Sequence, residues 1–112
     1  RLKGAPDTTS IENTTIAIVV TDAILTKPQA KRLAVIAQTG FARAIYPVHA
    51  PLDGDVVFAA ATCTKPIEPL IGLTELGMVA ANTMSRAIAR GVYEATALPF
   101  PGALPAWKDK FG

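Results

Sequence analysis

The pattern of hydrophobic and polar positions divides the chain into alternating strand-like and helix-like segments. Residues 1–12 are polar, carry Gly4 and Pro6, and end in the run Asp7-Thr8-Thr9-Ser10, so they read as a loop or tail. Residues 14–21 are rich in β-branched side chains and apolar on both faces, which predicts a central strand covered on both sides. Thr26-Lys27-Pro28-Gln29 then opens a helix. Thr26 caps it, Gln29 completes a capping box, and a proline in the first turn forfeits no hydrogen bond. From there Ala30, Leu33, Ala34, Ala37, Phe41, Ala44 and Ile45 recur at three- and four-residue spacing and predict an amphipathic helix. Gly40 weakens its last turns and Pro47 ends it.

Pro51-Leu52-Asp53-Gly54-Asp55 is a turn signal that feeds a second apolar strand over residues 56–62. Pro66 and Pro69 introduce a long helix over about residues 70–95, in which Gly72, Gly77, Ala80, Ala81, Ala87 and Ala89 permit close packing against a neighbour. Residues 98–112 hold three prolines among Phe100, Trp107 and Phe111, the pattern of an extended arm pinned by aromatics. The order strand, helix, strand, helix predicts an α/β layered unit rather than a bundle.

Composition adds limits. At 112 residues the chain suffices for one compact unit. Half of it is hydrophobic and 18% is charged, an apolar excess for a small domain that is explained either by a face turned to a partner or by an alanine-rich core. The net charge of +2 is scattered over Lys27, Lys31 and Arg32, over Arg86 and Arg90, and over Lys108 and Lys110. These read as solvated faces without interleaved aromatics, so no nucleic-acid partner is expected. No apolar stretch approaches a membrane span and no secretory signal is present, so the expectation is a cytoplasmic protein with no membrane partner. Cys63 is the sole cysteine and reads as a small buried side chain; His49 is the sole histidine and reads as structural or hydrogen-bonded. No metal or cofactor is expected.

The candidate chemistry starts at Asn13-Thr14-Thr15, placed before Ile16-Ala17-Ile18-Val19-Val20. A hydroxyl residue at the mouth of a buried strand, after an asparagine, is where a self-cleaving hydrolase would make its nucleophile. Once the Asn13–Thr14 bond is broken, the freed α-amine acts as general base for the hydroxyl of the same residue. Taken alone this pattern is weak, because threonines open many strands.

Longer segments strengthen it. Asn13-Thr14-Thr15-Ile16-Ala17, Thr21-Asp22-Ala23, residues 25–33, Ala42-Arg43-Ala44-Ile45 and residues 47–59 (PVHAPLDGDVVFA) together resemble the DmpA-like N-terminal-nucleophile hydrolases. That family includes L-aminopeptidase/D-esterases and β-peptidyl aminopeptidases. Residues 38–46 (QTGFARAIY) and 97–108 (ALPFPGALPAWK) are most similar to its members that cut 6-aminohexanoate (nylon) oligomers. The resemblance runs from Asn13 nearly to the end of the chain.

The resemblance implies a layered αββα sandwich of which this chain is the C-terminal portion. Residues 1–13 would be the end of a large-subunit segment and residues 14–112 the small, nucleophile-bearing subunit. It implies autocleavage at Asn13–Thr14, Thr14 as nucleophile, and Asp53 and Asp55 as the acidic pair beside it. It also implies a large subunit from the same precursor that supplies the remaining catalytic groups, including a lysine and the oxyanion hole, a tetramer of such pairs, and a polyamide oligomer as substrate. Residues two apart on extended backbone share a face, so Asp53 and Asp55 are expected side by side, with one of them holding a proton near neutral pH and a carboxylate orienting the Thr14 amine and hydroxyl. An ordinary Asp-Gly turn with solvated carboxylates is the other reading of the same residues. The rival activities are aminopeptidase chemistry on small peptides and, from another class, a non-catalytic structural subunit whose Asn13–Thr14 bond stays intact.

Overall fold

The computed structural model describes residues 13–112, so the loop or tail expected over residues 1–12 lies outside the described residues. Strand β1 (Ile16–Ala23) leads into helix α1 (Lys27–Gln38) and a 3-10 turn (Phe41–Arg43), followed by strand β2 (Val56–Lys65), helix α2 (Ile71–Glu94) and the short helix α3 (Trp107–Phe111). β1 and β2 pair in parallel, Ile16 opposite Val56 through Thr21 opposite Ala61, a constant offset of 40 residues. Parallel neighbours require a crossover, which α1 supplies. Because α1 runs back along the sheet, its last turn arrives at the end where both strands begin.

The capping box at Thr26 forms as expected: Gln29 N–H donates to Thr26 Oγ1 at 3.3 Å and Thr26 N–H donates to Gln29 Oε1 at 2.8 Å. The helix stops at Gln38, earlier than the apolar spacing suggests. Thr39 turns its hydroxyl onto the Ile36 carbonyl at 2.6 Å, and the chain tightens into the 3-10 turn that buries Phe41. Ala44 is left exposed. Gly40 is placed by packing: a Cβ built there would come to 2.3 Å of the Ala81 carbonyl oxygen and 2.9 Å of Met84 Cβ. Replacing Gly40 with alanine is therefore expected to force the turn away from α2 and destabilise the fold by about 1–3 kcal/mol, read from the urea midpoint at unchanged slope. Gly77 of α2 meets Ile36 in the same way, which bears out the close packing expected from the small residues of this helix. Its start is held by Glu68, whose carboxylate accepts the Leu70, Ile71 and Gly72 amides; these bonds draw its pKa below the ordinary value.

Leu33 and Phe41 are fully buried and, with Ala37, Ala80 and Met84, form the core between α1 and α2. Removing each large side chain from water contributes about 1.5–3 kcal/mol. Ala17, Val19, Val57 and Ala59 bring one face of the sheet onto this core. The opposite face is bare: Ile16, Ile18, Val20 and Phe58 are 69, 61, 65 and 57% exposed. The strand expected to be covered on both sides is thus covered on one within the described residues, because both helices lie on the same face.

Two further differences are local. Cys63, expected to be buried, is exposed. The register slips between Thr21 and Ala23, where Ala23 pairs with Lys65, and the additional β2 residues leave the regular ladder with Cys63 at φ 58°. The C-terminal arm is not wholly extended: α3 stacks Trp107 between Tyr93 and Phe111, with Lys108 over the Tyr93 ring and paired with Glu94 at 3.1 Å. Among the described residues no helix is long and apolar enough to cross a membrane.

Candidate active site

The ladder does not stop at Ile16. Asn13 forms a parallel bridge with Asp53, and the same offset of 40 sets Thr14 opposite Gly54 and Thr15 opposite Asp55. Gly54 N–H donates to the Asn13 carbonyl at 2.8 Å and Val56 N–H to the Thr15 carbonyl at 3.0 Å. The Asn13–Thr14 peptide is therefore gripped at the mouth of β1, and Thr14 remains solvent-exposed. Glycine at 54 is what allows the approach, since a Cβ there would stand 3.0 Å from Thr14 Oγ1.

The two aspartates flank this glycine and do different work. Asp53 closes the preceding turn on itself: its amide donates to the Ala50 carbonyl at 2.8 Å and its Oδ2 accepts the Ala50 amide at 2.8 Å. Asp55 reaches across to β1, where its Oδ1 accepts the Thr15 amide at 2.9 Å, while its Oδ2 accepts from His49 Nδ1 at 2.7 Å. The Asp55 side chain is only 7% exposed. That burial raises its pKa, but the Thr15 amide and His49 outweigh it and hold the carboxyl below its ordinary range. Asp55 is consequently ionised near neutral pH, so it is not the aspartate expected to hold a proton there. The reading of this segment as an Asp-Gly turn with solvated carboxylates fails at Asp55 for the same reason.

His49, whose expected hydrogen-bonded role is borne out, occupies the left-handed region at φ 55° with its ring 5.7 Å from that of buried Phe41. Its second nitrogen, Nε2, faces Gln38 Nε2 at 3.2 Å. Gln38 escaped notice in the sequence because it lies in a helix whose other residues account for themselves by spacing. Only the return of α1 to the strand mouths brings it here. Among the described residues no group of three His, Cys, Asp or Glu side chains is arranged to hold a metal ion.

Against known proteins, residues 3–103 match the profile described as peptidase family S58. An uncharacterized aminopeptidase of Mycobacterium tuberculosis is 38% identical over 110 residues, covering 88% of this chain and 31% of the relative. One from Mycobacterium bovis stands at the same identity and coverage, and one from Mycobacterium leprae is 40% identical over 81% of this chain and 30% of its own length. The chain thus spans roughly a third of the length of these relatives.

Proposed function

Because the chain belongs to peptidase family S58, we propose that it is the nucleophile-bearing portion of an amide hydrolase that matures by cutting itself between Asn13 and Thr14. The observation that carries this reading is the strand mouth. An exposed threonine follows a peptide carbonyl already engaged by Gly54 N–H, with a part-buried, ionised aspartate one residue further along the ladder.

In maturation the Thr14 hydroxyl attacks the Asn13 carbonyl carbon. The Oγ–C bond forms, the C–N bond breaks, and the proton passes to what becomes the Thr14 amine. Water then hydrolyses the ester, leaving an Asn13 carboxylate and a free Thr14 hydroxyl. The Gly54 amide is placed to polarise the same carbonyl during the attack. In turnover the α-amine, whose ordinary pKa is about 7.7–8.0, takes the hydroxyl proton as Oγ attacks the substrate amide. The leaving amine carries a proton away, and water releases the acyl group. Asp55 orients the Thr14–Thr15 backbone, and Asp53 shapes the turn beneath the nucleophile.

The substrate class best supported is a short peptide or peptide-like amide with a free amino end, in keeping with the aminopeptidase names of the relatives. Hydrolysis of 6-aminohexanoate oligomers is the second reading, favoured by residues 38–46 and 97–108. The remaining catalytic groups come from a larger subunit of the same precursor, and the bare apolar face of Ile16, Ile18, Val20 and Phe58 is a seat for such a partner. We assign residues 14–112 to the small subunit of an αββα sandwich that assembles as a tetramer of subunit pairs in the cytoplasm.

Intact mass under denaturing conditions tests the reading on protein produced with its full preceding segment. A fragment beginning at Thr14 is expected. An unbroken chain that nonetheless turns over β-alanyl p-nitroanilide would overturn the terminal-amine mechanism, and an unbroken inert chain would favour a structural subunit. The ratio of kcat/KM on that substrate to kcat/KM on the linear 6-aminohexanoate trimer separates the two substrate classes.

A further inference from the structure

We propose that His49, itself held by Gln38, is a positioning residue that fixes the Asp55 carboxylate against the Thr15 amide and thereby sets the placement of Thr14. The inference rests on Thr14 being the nucleophile and adds to that reading the device that aims it.

The geometry orders the bonds. Gln38 Nε2 carries only donors, so the ring nitrogen it faces, His49 Nε2, accepts, and the imidazole proton resides on Nδ1. Nδ1–H then points at Asp55 Oδ2, and Oδ1 of the same carboxylate is committed to Thr15 N–H. A chain of three hydrogen bonds thus runs from the last turn of α1 to the peptide that follows Thr14. Gln38 thereby steadies the tautomer that aims Nδ1–H at Asp55, as a second partner does for a catalytic imidazole.

The side chain is 36% exposed, yet its surroundings hold the ring. Its centroid sits 5.7 Å from Phe41 in the core, and the backbone adopts φ 55°, a conformation that histidine and asparagine tolerate better than most side chains. Among the described residues Asp55 is the charged group within ion-pair distance of the ring. A merely structural histidine would do as well bonded to any carbonyl. This one spends its donor on the carboxylate that meets the nucleophile strand, which His49 helps keep in its ionised form.

The experiment uses the full-length protein and follows both self-cleavage and the pH profile of kcat on β-alanyl p-nitroanilide. His49→Gly keeps the φ 55° backbone unstrained and removes the donor. It is expected to lower kcat by about 10- to 100-fold with KM within about threefold, the scale of a misplaced catalytic group. On the acidic limb of the profile, the second break, below the one set by the Thr14 amine, should also move to higher pH, since Asp55 loses a bond that lowered its pKa. His49→Asn tolerates the same backbone and places an amide N–H near the position of Nδ1, so it should recover most of the rate and return the limb. A parental kcat and limb in His49→Gly, or an asparagine variant as impaired as the glycine one, overturns the proposal. Should His49→Gly fail to fold, Gln38→Met carries the test: a smaller fall in kcat with the same limb displacement supports the relay, and an unchanged profile sinks it. Thr14→Ala run alongside separates the failures. If it is inert while the His49 and Gln38 variants behave as the parent, only the relay is wrong; if it cleaves itself and turns over substrate, the nucleophile assignment falls and the relay with it.

Discussion

Thr14→Ala is expected to leave a single uncut chain with no hydrolysis above background, a fall of about 10⁴-fold or more in kcat/KM. Both losses follow from one atom. In the proposed mechanism Oγ1 attacks the Asn13 carbonyl in maturation and the substrate amide in turnover, and among the described residues the adjacent hydroxyl, Thr15, alternates to the other side of the strand. Gly54 brings only backbone to within contact of that hydroxyl, and Asp53 and Asp55 are engaged by Ala50, Thr15 and His49. Thr14→Ser retains the hydroxyl and should self-cleave and turn over at a reduced rate, which shows that the alanine variant fails for want of a nucleophile rather than of a fold. Intact mass follows the first activity and release of p-nitroaniline the second; processing and turnover in the alanine variant would end the assignment.

Asp55→Ala is expected to have the second-largest effect, a fall in kcat of about 10²-fold or more together with slow or absent self-cleavage. The substitution strips two partners at once, leaving the Thr15 amide and His49 Nδ1 without their acceptor. Stability should fall as well, and its pH dependence gives the sign. The folded-state pKa of Asp55 lies below its ordinary value, so its contribution is present above the ordinary carboxylate range and is lost as the pH drops through the depressed value. The gap in melting temperature between parent and variant should therefore be widest near neutral pH and close under acid conditions. A gap that is constant with pH would show that the carboxylate is unimportant as a charge.

These effects hang on a site that was partly legible in the chain. Thr14, Asp53 and Asp55 stand out because a hydroxyl after asparagine and an Asp-Gly-Asp turn each open an apolar strand, and resemblance to a hydrolase family joins the two. The capping box at Thr26, the second strand and the span of α2 follow from local signals of capping, β-branching and spacing, and all form near the expected residues. Where the expectation slipped, a tertiary contact had intervened. Gly40 weakens a helix in isolation, yet here it meets the Ala81 carbonyl and lets the 3-10 turn bury Phe41. Cys63 belongs to an apolar run and is expelled by a register slip that no local pattern announces.

The sequence by itself determined both strands, the starts of the two long helices and the residue types able to do amide chemistry, because these depend on neighbours one to four positions away. Tertiary structure decided which of those residues meet. The offset of 40 that lays Thr14 over Gly54, the crossover that returns Gln38 to the strand mouths, and the division of work between Asp53 and Asp55 all depend on parallel pairing between distant segments. The period of a strand fixes which face a side chain takes, but only the pairing register fixes what stands opposite.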